Sequence, residues 1–520
     1  MIPSPRSLGV EHDHWRPNQY ATIDWARKTN NNLIIQAPTG SGKSAVAAAL
    51  GKYGVVRTLT HTINLQQQYE AQYGFDPLYG MAHYPCEFLG DEFMADTCLF
   101  SEGMYECPLS DVCSYLTRRK LVSESSRQAL SYAYFLNAIW VKEYQSRYLY
   151  CDEAHLLPQM VRSYTTIEYT PKQLQYDDIE HYPMLKTNNV KLRVIAAAKW
   201  LEKVVIRLQD KHRRLTSIPV WRRKKNPKIN RKIKILGQEI YKVNRVIQWA
   251  AQHPEFFYVE FDKDRFKMMP LTARVDFPLL FTHKWQHKLI LTSATIGNPA
   301  TLAKELGLNT FAFRDVPSNF PPKAMPVHTF SDAPALGYRT SKAGWDHWGD
   351  LIHKTIRRLN PHWSGLIHVA SKRQAHSLAT HLANKGLQDR VYIPEGKTTG
   401  DKIRRWEDRL KKYPNTLAVA YSFHMGLDAP QCNINIIGKI PFKTLDSFGL
   451  AELKFDEDLY TWNAAVLTEQ AAGRIRRGVA THYEEDNKKM RKFVAVADGN
   501  LYRVEDQLSS HFKDCLTTYT

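Results

Sequence analysis

The residues with the clearest chemistry run Ala37-Pro38-Thr39-Gly40-Ser41-Gly42-Lys43-Ser44. A Gly-rich turn ending in Gly-Lys-Ser lets successive backbone N–H groups turn inward on a phosphate chain, because glycine has no Cβ to obstruct the approach. Leu33-Ile34-Ile35 precedes it and Ala45 to Leu50 follows. The order is strand, turn, helix, and the start of that helix adds its positive dipole end. In such a loop Pro38, Thr39, Gly40, Ser41, Gly42 and Lys43 hold a nucleoside triphosphate; Lys43 reaches the β- and γ-phosphates and the Ser44 hydroxyl ligates Mg²⁺. The strict pattern has Gly where Ala37 stands, and a plain Gly-rich turn is the alternative.

A phosphate cradle alone does not separate a kinase from a transporter or a motor. A second apolar run, Leu149-Tyr150-Cys151, leads into Asp152-Glu153-Ala154-His155. In phosphate-loop enzymes the first acid at such a strand end holds Mg²⁺, and a nearby acid activates the attacking water. Asp152 takes the first role and Glu153 the second. An acidic turn opening a helix is the bland alternative.

Late in the chain comes Glu469-Gln470-Ala471-Ala472-Gly473-Arg474-Ile475-Arg476-Arg477. Arginines that reach a γ-phosphate stabilise charge during phosphoryl transfer, and Arg474 and Arg477, three apart, share a helix face. An exposed basic helix end is the competing reading.

Four of the seven cysteines, Cys86, Cys98, Cys107 and Cys113, fall in one short interval. In a chain read as cytosolic, such clustering points to metal or a cluster rather than disulfides. No Cys-x2-Cys pair of the usual structural zinc type is present. Gaps of eleven, eight and five residues, with Pro108 after Cys107, fit iron–sulfur ligation better than zinc, and zinc stays open beside it. Reactive or simply buried cysteines are the plain alternative.

The formal net charge of the 520-residue chain is +19, with 43% hydrophobic and 24% charged residues. That composition is ordinary for a folded protein, while the charge attracts polyanions. No apolar run approaches a membrane span, and Met1-Ile2-Pro3-Ser4-Pro5-Arg6 lacks the apolar core of a secretion signal; the expectation is a cytoplasmic protein without a membrane partner. From Lys211 to Lys234 there are eleven Lys and Arg and no Asp or Glu. Within it Arg222, Arg223, Lys224 and Lys225, beside Trp221 for stacking, read as a nucleic-acid surface, with a solvated basic loop as the alternative.

Strands and helices must position these groups. The N-terminal half alternates strand and helix, interrupted by a cysteine-bearing insertion (83–116) and a mostly helical one (158–254). Helices are expected over Val190–Gln209 and Ile233–Ala251. Apolar strands then return at Phe256–Phe261 and at Lys288–Leu291, the latter ending in Thr292-Ser293-Ala294-Thr295. Strand-like runs at Leu366–Val369, Thr416–Ala420 and Asn433–Ile437 mark a second alternating unit. This pattern predicts an α/β chain of two parallel, doubly wound sheets.

In this order the motifs resemble those of superfamily 2 helicases of the XPD/DinG type. The resemblance covers nearly the whole chain. It implies two RecA-like parallel-sheet motor domains, with a cysteine-ligated cluster insertion and an Arch-like insertion in the first. The corresponding division is 1–82, 117–157 and 255–297 for the first motor domain, 83–116 for the cluster insertion, 158–254 for the Arch-like insertion and 298–520 for the second motor domain.

By that resemblance Gln19, in Arg16-Pro17-Asn18-Gln19, reads the adenine, and Thr60 and Thr62 contact the nucleic-acid backbone. Cys86, Cys98, Cys107 and Cys113 hold a 4Fe–4S cluster. His155, Ser293 and Thr295 couple hydrolysis to movement. Gly426 and Asp428 lie in Ser422-Phe423-His424-Met425-Gly426-Leu427-Asp428, which resembles a further coupling motif. Gln470 orients water, and Arg474 and Arg477 contact the γ-phosphate.

The implied activity is an ATP-dependent DNA helicase using ATP, Mg²⁺ and the cluster, moving 5′ to 3′ on single-stranded DNA as a monomer. Forked duplexes and R-loops are its implied substrates and DNA repair its setting; a translocase without strong unwinding is the alternative. The Arch-like insertion is short for the family, and Gly499-Asn500 replaces a more basic turn.

Overall fold

The apolar runs become the central strands of two seven-stranded parallel sheets in the computed structural model. It describes residues 2, 4–8, 13–38, 41–100, 107–137, 146–176, 179–180, 182, 187, 189–262, 265–282, 287–318, 322, 326–421, 429, 431–475 and 492–519. The chain divides into two compact units. One comprises residues 1–35, 42–293 and 303–314, the other 36–41, 294–302 and 315–520.

The first unit contains β1 (Asn32–Gln36), β2 (Val56–Thr60), β3 (Asp76–Leu78), the short hairpin β4 (Pro85–Cys86) and β5 (Gly90–Met94), β6 (Arg127–Ser131), β7 (Tyr148–Cys151), β8 (Ile167–Tyr169), β9 (Phe257–Asp262), β10 (Arg265–Pro270), β11 (Lys288–Ser293) and β12 (Phe311–Asp315), whose last residues at β1 and β12 fall to the other unit. Its large sheet has the order β12-β1-β11-β7-β2-β6-β3. β2 and β7 are buried along their whole length, as strands covered on both faces are; in β7 this leaves the apolar run Leu149-Tyr150-Cys151, whereas β2 buries Arg57, Thr58 and Thr60 among its residues. The order sets the C-terminal ends of β1, β11, β7 and β2 side by side, where ligands of doubly wound sheets bind.

Two insertions interrupt this sheet. The helical one is a pair of long helices, Val190–Thr216 and Lys228–Gln252, joined through the short helix Val220–Lys225. Val194, Leu201, Leu208, Val243 and Val246 are fully buried in a core of its own. A three-stranded antiparallel sheet, β8-β10-β9, shares that core.

Two expectations are corrected here. The strand read as a return to the motor sheet at Phe256–Phe261 is β9, and it pairs with β10 in the small sheet. Its alternation carried the signal: Phe257 and Val259 are buried while Tyr258 and Glu260 are only partly so, the period of a half-buried antiparallel strand. The strand Phe311–Asp315, expected in the second motor domain, is the edge strand of the first sheet beside β1. Its partial burial, typical of an edge, hid its membership.

The cysteine insertion meets the helical one. Arg231 pairs with Asp96 at 3.1 Å, Asn230 donates to the Thr97 carbonyl at 3.3 Å, and the Lys224 ammonium sits 4.7 Å from the Phe88 ring centre.

The second unit holds β13 (Val327–Thr329), β14 (Gly365–His368), β15 (Val391–Tyr392), β16 (Leu417–Ala420), β17 (Ile434–Ile437), β18 (Phe493–Val496) and β19 (Leu516–Thr518), in the order β15-β16-β14-β17-β18-β13-β19 with all neighbours parallel. β14, β16, β17 and β18 are fully buried. Among the described residues, no helix is long and apolar enough to cross a membrane.

Candidate functional site

The phosphate loop leaves β1 and ends at Gly42, whose left-handed backbone (φ 82°) opens the helix Lys43–Leu50. Only glycine fits there. An added Cβ would lie 2.0 Å from Gln19 Nε2, so the glutamine side chain rests directly on the loop. Gln19 is itself held, its Oε1 accepting the Arg16 backbone N–H at 3.1 Å. Pro38 and Ser41 close the turn through the Ser41 N–H to the Pro38 carbonyl at 3.0 Å. Thr39 and Gly40 lie outside the described residues.

Asp152 follows β7 and is 5% exposed. Its Oδ2 accepts from the Tyr69 hydroxyl at 3.1 Å and its Oδ1 from the Glu153 N–H at 3.0 Å. Burial, with the Glu153 charge next to it, raises its pKa to about 6 against the pull of the Lys43 ammonium. A buried carboxylate with a lysine and a serine hydroxyl nearby is the hard-oxygen environment Mg²⁺ requires, and the ion's charge would return Asp152 to its ionised form. Ser44, Lys43 and Asp152 lie together: Lys43 acts on the Asp152 charge, and the Tyr69 phenol meets both Ser44 and Asp152.

Glu153 has φ 51°, the one non-glycine residue with positive φ among those described. That left-handed backbone turns its carboxylate toward Ser293 and His155. Ser293 Oγ, at the end of β11, donates to Glu153 Oε2 at 3.2 Å and lies 2.7 Å from His155 Nδ1; that nitrogen is 3.3 Å from Glu153 Oε2. Glu153, His155 and Ser293 form one cluster beside the Mg²⁺-type carboxylate.

In the second unit Gln470 is buried near the end of the helix Glu457–Ala472, and its Nε2 donates to Thr295 Oγ1 at 3.3 Å. Arg474 is 3% exposed just beyond. Arg477, Gly426 and Asp428 lie outside the described residues.

Two expected contacts have local roles. Thr60 is fully buried and gives its hydroxyl to the Thr62 carbonyl at 3.2 Å. The Thr62 hydroxyl caps the helix Ile63–Tyr73 by accepting the Leu65 N–H at 3.3 Å, the ordinary reason for threonine at a helix start.

Arg222 and Lys225 flank the exposed Trp221 ring at 5.0 and 5.7 Å, Arg223 donates to the Ile218 carbonyl at 3.1 Å, and Lys224 faces Phe88.

Cys86 ends β4, Cys98 follows the turn Ala95–Thr97, and Cys113 opens the helix Ser114–Glu124. The Cys86 and Cys98 thiols share a hydrogen bond. It lowers Cys86 to about 6 and raises Cys98, which also feels Cys107. Burial raises Cys113, with Cys86 near enough to add to it. Among the described residues, no three His, Cys, Asp or Glu side chains converge tightly enough to hold a metal ion.

Sequence reasoning missed three tyrosines. Tyr69 holds the Asp152 carboxylate, Tyr132 donates to the Asp152 carbonyl at 2.7 Å, and Tyr150 donates to the Lys43 carbonyl at 2.9 Å. Tyrosine in an apolar run reads as core, and only Tyr150, two residues before Asp152, carried a positional hint.

No protein-family model matches the sequence, and no curated protein matches it. Solved structures do. An XPD helicase structure superposes with a TM-score of 0.56 at 14% identity, over 97% of this chain and 99% of that one. A structure of XPD in its apo form gives 0.52 at 15% identity, over 94% and 98%. S. tokodaii Xpd4 gives 0.51 at 13% identity, over 97% and 100%. The chain thus has the fold of the XPD-type superfamily 2 helicases along nearly its whole length.

Proposed function

We propose that this protein is an ATP-dependent DNA helicase that translocates on single-stranded DNA, 5′ to 3′, and parts forked duplexes. The observation that carries the reading is the joint placement of Lys43, Asp152 and Glu153, with Ser293 hydrogen-bonded to the glutamate and His155 3.3 Å from it, on the fold of the XPD helicases. Mg²⁺, held by Ser44 and Asp152, supplies charge neutralisation at the transferring phosphoryl group.

The rest is work for side chains. Lys43 holds the phosphates and Gln19 the base, over the loop it already touches. Glu153 takes the proton of the attacking water, while Gln470, Arg474 and Arg477 act at the γ-phosphate. In the first unit Ser293 hydrogen-bonds Glu153 and His155 lies against both, and in the second Gln470 donates to Thr295, so each unit has a side chain of the hydrolysis set bonded to one of the coupling set. Gly426 and Asp428 belong to the same coupling set. On the helical insertion Arg222, Arg223, Lys224 and Lys225 supply phosphate contacts.

A 4Fe–4S cluster on Cys86, Cys98, Cys107 and Cys113 is part of the proposal; it rests on the soft thiolate donors and on the mutual influence of Cys86, Cys98, Cys107 and Cys113, not on a preformed metal geometry. Protein purified without oxygen is then yellow-brown with about four irons per chain; a colourless, zinc-loaded protein overturns that part.

The decisive experiment is ATPase activity with single-stranded DNA, RNA and R-loop substrates side by side, paired with unwinding of a forked duplex. DNA stimulation with unwinding supports the helicase, and stimulation without it leaves a translocase. No stimulation by any nucleic acid, or normal turnover by Lys43→Ala, overturns the motor.

A further inference from the structure

Tyr69 lies in the helix Ile63–Tyr73, directly after Leu65-Gln66-Gln67-Gln68 and outside the residues read as touching the nucleotide, yet it reaches the Asp152 carboxylate. It is 1% exposed, and its ring is wedged edge-on against Phe75 at 5.0 Å and beside Tyr73 at 6.3 Å. Thr62 caps the start of this helix and Gly74, in the left-handed region, ends it, so the side chain has little freedom to turn away. Its hydroxyl donates to Asp152 Oδ2 at 3.1 Å, and the Ser44 side chain interacts with the same phenol.

The other two tyrosines of the site bond backbone carbonyls, those of Asp152 and Lys43. Tyr69 alone among these three acts on the carboxylate.

We propose that Tyr69 is a positioning residue for the divalent cation: its hydroxyl links Ser44 to Asp152 and sets both oxygens before the ion arrives. Asp152 has two oxygens to orient. The Glu153 N–H holds one and Tyr69 holds the other. The phenol can accept the Ser44 proton while donating its own to Asp152, directing the serine lone pairs toward the metal. Partners of this kind outside the ligand shell typically change metal affinity 10- to 100-fold when removed.

The inference rests on the nucleotide-site reading and is tested apart from turnover. Tyr69→Phe keeps the ring and deletes only the hydroxyl. Binding of a fluorescent ADP analogue is measured across a Mg²⁺ titration and again in EDTA, for the wild type, Tyr69→Phe and Tyr182→Phe, the last a buried tyrosine of the helical insertion whose hydroxyl bonds the Arg193 carbonyl. The expected result is a half-saturating Mg²⁺ concentration raised about tenfold or more by Tyr69→Phe. Its affinity in EDTA stays within about twofold of wild type, which also reports an intact site, and Tyr182→Phe keeps the wild-type Mg²⁺ requirement. An unchanged Mg²⁺ requirement in Tyr69→Phe overturns the role. So does an equal shift in both variants, which marks general loosening, or a loss of binding in EDTA, which marks a packing role. A wild type that binds no nucleotide sinks the underlying site reading, and the role with it.

Discussion

Glu153 shows how much can rest on one backbone angle. Its φ of 51° places a long carboxylate in a conformation that L-residues other than Asn, Asp and Gly rarely adopt, at a cost of about 1–2 kcal/mol. The carboxylate thereby meets Ser293 and His155 rather than running on from Asp152. Glu153→Gln keeps the shape and loses the base. It is expected to bind ATP with near wild-type affinity and to hydrolyse it at least about 100-fold more slowly, as read by nucleotide binding beside single-turnover hydrolysis. Wild-type turnover would place the base elsewhere. Gly42 offers a second case, because a Cβ there runs into Gln19 on a backbone that disfavours it. Gly42→Ala should weaken nucleotide binding about tenfold or more, whereas a purely tethering loop would tolerate it. At this scale the residues proposed to meet phosphate, metal and water were legible, since their types are dictated by chemistry. Tyr69, Tyr132 and Tyr150 were not, because a phenol donates one hydrogen bond and otherwise packs like any core ring.

Among the elements, the buried parallel strands were the most legible, because burial on both faces leaves an unbroken apolar run such as Leu149-Tyr150-Cys151 or Leu417-Ala418-Val419-Ala420. Half-buried strands deceived. β9 alternates and belongs to the insertion, and β12 sits at a sheet edge. The long helices were found but with bounds that differ: the first begins at Val190 as expected and runs on past Gln209 to Thr216 through the exposed Arg213 and Arg214, while the second begins at Lys228, before the expected Ile233, and ends at Gln252. The helix Val220–Lys225 carries a prediction of its own. If Arg222 and Lys225 meet phosphates, the double variant Arg222→Ala/Lys225→Ala lowers the slope of log affinity against log salt for single-stranded DNA by about 1.4. ATPase without DNA stays unchanged. An unaltered slope would return this helix to the role of a solvated basic face.

In the molecule as a whole, a buried acid ties pH to stability. Burial raises Glu469 to about 7, despite bonds from the Ser509 N–H at 2.5 Å and hydroxyl at 3.0 Å; Asp315 pushes it further up and Lys513 pulls it down. An acid whose folded pKa exceeds its unfolded value holds a proton the unfolded chain gives up. Its stabilising contribution is complete below about 4.5 and fades as the pH climbs to about 7. Unfolding temperature should therefore fall from pH 5 to pH 7.5, and Glu469→Gln, neutral and equal in shape, should flatten that decline. A variant with the wild-type slope would show that Glu469 is ionised throughout. No composition or spacing pointed to this group, since a glutamate beside a motif arginine reads as solvated; only its enclosure reveals it. Both seven-stranded sheets, by contrast, were foreshadowed by the alternation of runs.

The placement of β11 beside β7 has a consequence for synthesis on the ribosome. These neighbours pair residue for residue from Lys288 with Tyr148 to Leu291 with Cys151, yet the helical insertion separates them by roughly 140 residues of chain. At a translation speed of about 5–20 residues per second, one flank of β7 waits on the order of ten seconds for its companion. During that interval the nascent chain bears an open, wholly apolar strand edge, an exposure that chaperones or slower growth at low temperature would relieve.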